Sequence, residues 1–323
     1  MPMMELIENT HGEEAITPDR CSIGICASDG APKLLDLLNV IRSEEFPKYL
    51  GLNKIVIVAS GCEPQVLSLL RQLAEKDPRI NLLEEPERNG KAEALNKIIQ
   101  QCEGDHILFV NSDALPQSGS ISKLFRALKN DPSVGIVSAC PVLDAGAKEG
   151  TTFGVEELMW SVHNEASLLL NHMKISNHSS DEMMLVRSSA LETLPKNLVN
   201  DGAYLAGRAK LKGYLIKFCE DAKVGIDVPS RLSDLISQRR RIIYGHMQVK
   251  RLTGSSPKTV KFLLLSNPML SLSIAFKTLL KRPSRLRALP LALMCEGISS
   301  LLALYDTSLD SPNKHSVWKR YGN

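Results

Sequence analysis

The sequence lacks the cysteine patterns that mark disulfide scaffolds and zinc modules. Its seven cysteines are scattered, at positions 21, 26, 62, 102, 140, 219 and 295, with no CxxC pair and no cysteine/histidine group at zinc-ligand spacing. We therefore expect reduced thiols in a cytosolic setting. Aromatic residues are also scarce, at 5% of the chain, and none interleave with basic residues as base-stacking surfaces require. Nucleic acid is not an expected partner.

The start of the chain lacks a secretory signal. Residues 1–20 are acidic and polar, without the basic beginning and apolar centre that such a signal needs. We interpret residues 1–20 as a loose N-terminal arm.

The composition is that of a folded protein with a basic C-terminal third. Of 323 residues, 43% are hydrophobic and 23% charged, which suits one large domain or a domain with an appendage. The formal net charge of +3 hides an asymmetry, because the thirteen basic residues between positions 231 and 287 are accompanied only by Asp234. Such a segment suits phosphates or anionic lipid headgroups, and we expect peripheral contact with a membrane surface.

Apolar runs alternate with helical patterns over the first 140 residues. Repeated βα units of this kind predict a doubly wound, parallel sheet. The predicted strands are 21–28, 54–59, 80–83, 107–110 and 134–139, with helices between them such as 118–130. The second half is less regular, with predicted helices at 155–170, from Asp201 and at 232–249, and short strands at 183–186, 214–219 and 223–226.

The run from Ile107 to Val110 is the most informative strand. Four consecutive apolar residues indicate a strand covered on both faces, and Asn111, Ser112 and Asp113 follow at its carboxyl end. Ligands bind at that edge of open α/β sheets, so the Asp113 carboxylate is suited to hold a divalent cation against phosphates. An ordinary aspartate turn is the alternative interpretation.

A second motif is NGKAEALN, residues 89–96. Gly90 permits close approach of the backbone to a ligand, and Lys91 is a point charge suited to phosphate. Taken alone, the motif also fits a solvent-exposed helix start.

Residues 262–280 and 288–305 are the most apolar stretches. Pro290, Glu296 and Gly297 in the second stretch argue against a simple transmembrane span. Because basic residues directly precede it, we interpret it as an amphipathic or re-entrant helix at the membrane interface, with a buried helical hairpin as the alternative.

The order of these motifs resembles the family 2 glycosyltransferases, whose catalytic domain has the GT-A fold. Members show, in order, a PAYNE-like loop after a strand, a strand ending in DDGS, a GKxxALN segment, a strand ending in DAD, a Glu-Asp pair and, in polysaccharide synthases, QxxRW. The resemblance covers residues 20–250 and is most specific in GKAEALN followed by FVNSD. The matching positions are Ala27 and Asp29, Ser60 and Gly61, Gly90 to Asn96, Asn111 to Asp113, Asn200 and Asp201, and Gln238 to Ile242.

The resemblance implies an α/β fold of the GT-A (Rossmann-like) type, with a mixed, mostly parallel sheet flanked by helices and a C-terminal helical appendage. It places a glycosyltransferase domain at 21–250, divided into a nucleotide-binding half at 21–140 and an acceptor half at 141–250. Residues 251–323 are then a helical region expected to associate with the membrane. The implied enzyme is a hexosyltransferase that takes a UDP- or GDP-sugar, uses Mg²⁺ or Mn²⁺, and works in the cytoplasm on the cytoplasmic face of the membrane.

Residue roles follow from the same resemblance. Asp113 would ligate the metal, and Asp201 would act as general base in a single displacement that inverts the anomeric carbon. Gln238, Arg239 and Arg241 would reach the diphosphate or the acceptor. The nucleotide-sugar would contact residues at the strand ends, namely Ala27, Asp29, Ser60, Gly61, Lys91, Asn111 and Ser112. Asp181 and Glu182 fall where the family places an acceptor-side loop, and Trp160 suits either an acceptor pocket or the core.

Four positions depart from the family pattern. Asn111 replaces the first carboxylate of DAD, Ser60 replaces an Asp of DDGS, and Asn200 replaces the Glu of the Glu-Asp pair. Ile242 replaces the tryptophan that supports a growing polymer, so we expect transfer of a single sugar to a lipid-linked or glycan acceptor. A non-catalytic GT-A-like module that binds a sugar nucleotide, or scaffolds enzymes at the membrane, is the alternative. A nucleotidyltransferase would need a glycine-rich loop after the first strand, where only Gly30 is present.

Overall fold

One eight-stranded sheet organises the protein. The structure is a computed structural model that describes residues 19–144, 151–309 and 315–317, so the expected N-terminal arm lies almost wholly outside the described residues. The strands are β1 Asp19–Asp29, β2 Leu50–Cys62, β3 Ile80–Glu85, β4 His106–Asn111, β5 Leu115–Pro116, β6 Val134–Leu143, β7 Met183–Arg187 and β8 Leu215–Ile226. They stand in the order β3-β2-β1-β4-β7-β6-β8-β5.

The first four long strands form the parallel half of the sheet. Strand β1 pairs in parallel with β2 and β4, and β2 pairs in parallel with β3. Each contains the apolar run that predicted it. The β4 residues Ile107 to Val110 are at most 3% exposed, because helices pack on both faces of the sheet. This burial on two sides is what an uninterrupted apolar run indicates.

The other half makes the sheet mixed. Strand β7 inserts between β4 and β6 and runs antiparallel to both, whereas β6 and β8 are parallel. The short β5 is antiparallel to β8. The expectation of a mixed, mostly parallel sheet is confirmed, and the simpler fully parallel arrangement suggested by the first 140 residues is not what forms.

Ten helices are described, and local sequence explains several of their ends. Gly90, with φ of 97°, precedes α3, and the side chain of Asn200 accepts a hydrogen bond from the backbone N–H of Ala203 at the start of α6. Gly254, with φ of 73°, ends α7. The bounds are α1 Leu34–Ser43, α2 Pro64–Lys76, α3 Lys91–Gln101, α4 Ser120–Lys129, α5 Thr151–His172, α6 Asp201–Leu211, α7 Leu232–Thr253, α8 Val260–Ser266, α9 Pro268–Lys281 and α10 Leu289–Ser308.

Two predicted elements differ in detail from the structure. The strands expected at 214–219 and 223–226 are one strand, β8, whose pairing with β6 shifts register between Ala139 and Cys140. The apolar stretch 262–280 is two helices, because Pro268 lacks the N–H that would continue α8. Asn267 caps the second helix by accepting a hydrogen bond from the N–H of Leu270.

The C-terminal helices lie against the outside of this α/β unit. Helix α10 packs along α7, where Ser299 Oγ donates to the carbonyl of Ile236, and α9 packs on α5. Among the described residues, Pro283–Ser308 is the one helical stretch long and apolar enough to cross a membrane, with a mean hydropathy of 1.6 and 22% of its window buried. Each helix therefore has one packed face, on different partners, together with an exposed apolar face.

Candidate active site

The polar ends of three parallel strands meet at one edge of the sheet. The register pairs Ser28 of β1 with Ser60 of β2, and Cys26 of β1 with Asn111 of β4. Asp29, Gly61 and Asp113 directly follow these positions or lie within two residues of them. Motifs that are far apart in the sequence are thus brought together at the carboxyl edge of the sheet, where α/β proteins bind ligands.

Two charged pairs line the outer part of this edge. Asp29 has a positive φ of 53° and accepts a hydrogen bond at 2.8 Å from Arg88. Gly61, with φ of 60°, lies so near Arg88 that a Cβ atom there would be 2.8 Å from the arginine Cγ, so a side chain at position 61 is excluded. Ser60 Oγ donates to the buried Glu85, which also pairs with Lys97. Ala27 is buried beneath them.

Lys91 lies at the centre of the inner part of the site. Its ammonium group is 2.7 Å from Asp181 Oδ2 and 3.1 Å from Asp201 Oδ2. Only the first contact has hydrogen-bond geometry, and Asp201 Oδ2 is buried without a hydrogen bond from the described residues. A cavity of about 10 Å³ beside Asn111, Asp181 and Asp201 is close to the minimum for one water.

The electrostatics of this trio depend on Lys91. Burial acts to lower the pKa of Lys91, but the two carboxylates outweigh it and the pKa is raised, so the lysine stays charged. Burial also acts to raise the pKa of Asp181, and the neighbouring Lys91 outweighs it and lowers that pKa. For Asp201 burial prevails and raises the pKa to about 6, opposed by Lys91 and assisted by Asp181.

Glu182 lies beside the predicted metal site. Asn111 Nδ2 donates to Glu182 Oε2 at 3.0 Å, and the backbone N–H of Asn111 donates to the Glu182 carbonyl at 3.0 Å. Burial, together with the charges of Asp181 and Asp113, raises the pKa of Glu182 to about 8. At neutral pH this carboxyl is therefore largely protonated, and the amide at Asn111 holds it in place.

The residues near Asp113 fit a cation that is shared with a ligand. Among the described residues, no group of three histidine, cysteine or carboxylate side chains is arranged to hold a metal by itself. Mg²⁺ sites in enzymes of phosphorylated substrates commonly use one or two protein carboxylates, with phosphates and water completing the shell. Asp113 with Glu182 nearby matches that donor set. Ser112 is partly exposed next to them.

The predicted diphosphate arginines on α7 face different partners. Arg239 pairs with Glu296, and Arg240 forms a bidentate pair with Asp306, both on α10. Arg241 donates to the carbonyl of His315 at 3.2 Å and lies close enough to Asp181 to help lower its pKa. Gln238 is partly buried on the same helix. The charge of Arg241 thus acts on the carboxylate cluster.

A row of aromatic rings continues from the cluster towards α5. Trp160, His163, His178 and His246 stack edge to face in succession, with ring centroids 5.2, 5.8 and 5.2 Å apart. Burial lowers the pKa of His163 to about 3 and that of His178 to about 4, so the imidazoles are neutral at neutral pH. The row forms an uncharged wall beside Asp181.

Several residues of the site could not be found from single motifs. Ala27, Asp29, Ser60, Gly61, Lys91, Asn111, Ser112, Asp113 and Asp201 were predicted as site residues, and all lie along this edge. Glu85, Arg88 and the aromatic row were not predicted, and Asp181 and Glu182 were indicated only by their place before β7. The one signal available for the last two was an acidic pair next to a short apolar strand.

Comparison with known proteins agrees with this fold. The sequence profile described as "Glycosyltransferase like family 2" matches residues 18–245. The poly-beta-1,6-N-acetyl-D-glucosamine synthase of Staphylococcus aureus is 24% identical over 220 residues, which cover 65% of this chain and 51% of the synthase. The chain thus spans about half the length of the curated relatives it matches.

Solved structures show the same architecture. A mannosyltransferase from Pyrobaculum calidifontis, solved with GDP-Man and Mn²⁺, is 21% identical, with a TM-score of 0.61 over 91% of this chain and 88% of that one. GalNAc-T7, solved with UDP, GalNAc and Mn²⁺, is 11% identical, with a TM-score of 0.51 over 76% of this chain and 57% of that one. At these identities the likeness shows a GT-A-like fold.

Proposed function

Because the chain belongs to glycosyltransferase-like family 2, we propose that it transfers a single sugar from a UDP- or GDP-sugar, with inversion, to a lipid-linked or glycan acceptor. The observation that carries the proposal is the cluster of Lys91, Asp181 and Asp201 next to Asn111, Asp113 and Glu182 at the ligand-binding edge of the sheet. This cluster combines the Asp201 carboxylate, whose pKa is about 6, with the Lys91 ammonium group and with side chains suited to bind a metal ion.

Donor binding is assigned to the strand ends. Asp29 and Arg88 form a hydrogen-bonding pair at the mouth, next to Ser60 and Gly61, and this end of the strands is proposed to receive the nucleoside. Asp113, with Glu182 once its carboxyl has lost its proton, would hold Mg²⁺ or Mn²⁺, which when bound would neutralise charge on the leaving diphosphate. The donor diphosphate, arriving near Lys91, would compete with the carboxylates for its ammonium group.

Asp201 is proposed as the general base. An acceptor hydroxyl must lose its proton as it attacks, and a carboxylate with a pKa near 6 is both ionised and basic enough at neutral pH. The side chain is only 4% exposed and is held by Lys91. We therefore assign a second task to Lys91, which keeps Asp201 ionised without donor and moves towards the diphosphate when donor binds.

The acceptor is placed on the side of the aromatic row. Neutral rings of Trp160 and of the three histidines offer the apolar and hydrogen-bonding surface that sugars require, and they adjoin Asp181. Ile242 provides no such ring at the end of the QRRRI segment, which supports transfer of one sugar. Arg241, near Asp181, is proposed to contact the diphosphate or the acceptor. Gln238 and Arg239 are proposed to contribute less to the same contacts.

Attachment to the cytoplasmic face of a membrane is the last part of the proposal. Helices α8 to α10 expose large apolar side chains next to basic ones, a combination that suits an anionic bilayer surface. The exposed apolar residues include Leu264, Leu265, Met269, Leu272, Phe276, Leu280, Leu293 and Leu301. The neighbouring cations include Lys277, Lys281 and Arg282.

The test is a donor screen with purified full-length protein. With Mn²⁺ or Mg²⁺ and a panel of UDP- and GDP-sugars, mass spectrometry should detect transfer or donor hydrolysis. Asp201→Asn should lower the rate by about 10²- to 10⁴-fold with donor binding retained, while Asp221→Asn, at an exposed position on β8, should not. Full activity of Asp201→Asn together with an inactive Asp181→Asn would move the base to Asp181.

The non-catalytic alternative has a distinct outcome. A protein that binds UDP or GDP in calorimetry, yet neither transfers nor hydrolyses any donor of the panel, would be a sugar-nucleotide-binding module. Metal dependence adds a second criterion, because the proposed enzyme should bind nucleotide more tightly with Mn²⁺.

The metal assignment is tested at Asn111. Asn111→Asp restores a second carboxylate beside Asp113 and Glu182, and we expect Mn²⁺ to bind several-fold more tightly because the local negative charge increases. Calorimetric titration with Mn²⁺ and GDP measures the change. If Asn111→Asp and wild type bind Mn²⁺ equally, the cation does not lie at this position.

A further inference from the structure

A second polar cavity lies away from the carboxylate cluster, between the start of α5 and the turn that precedes α10. Its volume is about 360 Å³. The walls carry two arginines and a serine, Arg285, Arg287 and Ser284, together with apolar surface from Val155, Ala288 and Leu291. The proposed transfer reaction uses none of these residues.

The cavity has an excess of positive charge. Glu157 is the one carboxylate in its wall; it pairs with Arg282 and lies 3.4 Å from Arg285 Nη2. Arg287 is exposed and makes no ion pair with the described residues. One carboxylate thus faces three guanidinium groups, and the remaining charge favours an anionic ligand.

Arg285 has an unused donor. Its side chain is only 13% exposed, and its Nε–H is buried without a hydrogen-bond partner among the described residues. A buried, unpaired donor on a charged group is costly unless a ligand supplies the acceptor. Guanidinium groups bind phosphate oxygens through paired hydrogen bonds, so a phosphate group satisfies both the geometry and the charge.

The surroundings distinguish a lipid phosphate from free phosphate. Leu286, within the turn, is 57% exposed, and Leu293, in the first turns of α10, is 64% exposed, so apolar surface adjoins the cavity. A free phosphate would leave the partly exposed apolar side chains of Ala288 and Leu291 uncovered, whereas the glycerol and first acyl carbons of a lipid would cover them.

We propose that this cavity binds the phosphate headgroup of an anionic lipid. The inference rests on the proposed membrane attachment and deepens it, because it names one binding site within a broad apolar surface. Helix α5 connects the cavity to the aromatic row. Val155 and Trp160 are five residues apart, about 8 Å along the helix axis, so a lipid held here lies beside the acceptor side of the site.

The experiment uses full-length protein and short-chain lipids in solution below their aggregation limit. Calorimetry should show saturable binding of dihexanoyl phosphatidic acid, weaker binding of inorganic phosphate, and none of dihexanoyl phosphatidylcholine. Arg285→Gln/Arg287→Gln should weaken phosphatidic acid binding about tenfold or more. Lys196→Gln/Lys250→Gln removes two positive charges from exposed positions outside helices α8 to α10 and is the matched control, expected to bind as wild type does.

Three results would overturn the proposal. These are absence of saturable phosphatidic acid binding by wild type, equal binding by the double variant, and inorganic phosphate binding as tightly as the lipid. The single variant Arg287→Gln controls for misfolding of the double variant. Because Arg287 is exposed, this substitution should weaken lipid binding without changing the thermal unfolding temperature. This experiment contains neither donor nor bilayer, so it tests lipid binding separately from the proposed reaction. A protein that binds the lipid but shows no transferase activity would contradict the proposed reaction and leave the lipid site in place.

Discussion

The carboxylate cluster and the C-terminal helices depart from an ordinary protein surface in opposite ways. The first encloses charge: Asp201 is 3% exposed, and its carboxylate depends on Lys91 for compensation. The second exposes hydrophobic side chains, with Leu265 at 80% and Met269 at 75%. Burying charge and exposing apolar surface are both unfavourable in water. Each region would therefore gain stability from the ligand proposed for it, a nucleotide-sugar with its metal in one case and a lipid surface in the other.

The comparison also separates two uses of ion pairs. At the site, Lys91 neutralises Asp181 and Asp201, and under the proposed mechanism these ion pairs exchange partners when donor binds. On α7, Arg239 and Arg240 pair with Glu296 and Asp306 of α10 and fix the C-terminal helix to the catalytic unit. The bidentate pair at the buried Asp306 suits a permanent contact. The adjacent arginines thus differ in role according to what the neighbouring helix presents.

The largest expected effect is at Lys91. Lys91→Met leaves Asp181 and Asp201 without their cation, and removing one partner of an enclosed ion pair should lower the free energy of unfolding by about 3 kcal/mol. Urea unfolding at neutral pH measures the loss. Lys196→Met, at a side chain 86% exposed, is the control and should change little. Equal effects of the two substitutions would show that the cluster does not depend on Lys91.

A smaller and pH-dependent effect is expected at Glu182. Its pKa is about 8 in the folded protein and near 4.5 when unfolded, so the folded state binds the proton more tightly. Wild-type stability should therefore fall, relative to that of Glu182→Gln, as pH rises from about 4.5 to about 8. Urea unfolding of both proteins at pH 5, 7 and 9 tests this, and parallel pH profiles would contradict it.

The smallest effect on stability is expected on the exposed apolar face. Leu272 and Phe276 are 61% and 64% exposed, so changing either to Ala should alter the free energy of unfolding by no more than about 0.5 kcal/mol. Leu108→Ala, in the buried strand β4, should cost about 3 kcal/mol. The contrast compares similar apolar truncations in the two environments.

The same pair of substitutions should matter for membrane binding. With vesicles that contain phosphatidylglycerol, Leu272→Ala/Phe276→Ala should reduce flotation of the protein by about tenfold, since two large side chains no longer enter the bilayer. Unchanged flotation, or flotation of neither protein, would mean that α9 does not contact lipid.

Much of the sheet could be predicted, because its strands carry their own signal. The run Ile107 to Val110 has no polar residue, and only a strand covered on both faces accommodates it in an α/β fold. The insertion of β7 between β4 and β6 could not be predicted in the same way. The apolar run Met183 to Val186 would suit any central position in the sheet, so the sequence does not show which two strands flank it.

The candidate site also has one part that the sequence could predict and one part that it could not. The motif order placed Lys91, Asn111, Asp113 and Asp201 at one edge, since parallel strands end together. Which of them touch was not predictable, because contacts between side chains 90 or 110 residues apart depend on the packing of α3 and α6. The pairing of Lys91 with Asp181 arises in this way, whereas that of Asn111 with Glu182, 71 residues apart, depends on the pairing of β4 with β7.

The sequence by itself determined the α/β class, the ligand-binding edge and the family resemblance, because these follow from local apolar patterns and short motifs. Only the tertiary structure decided the charge states of the site, since the pKa values of Asp201 and Glu182 depend on burial and on neighbours distant along the chain. It also decided which face of α9 and α10 remains uncovered. Local patterns fix the elements, whereas electrostatic and packing energies depend on distances that exist only after the elements assemble.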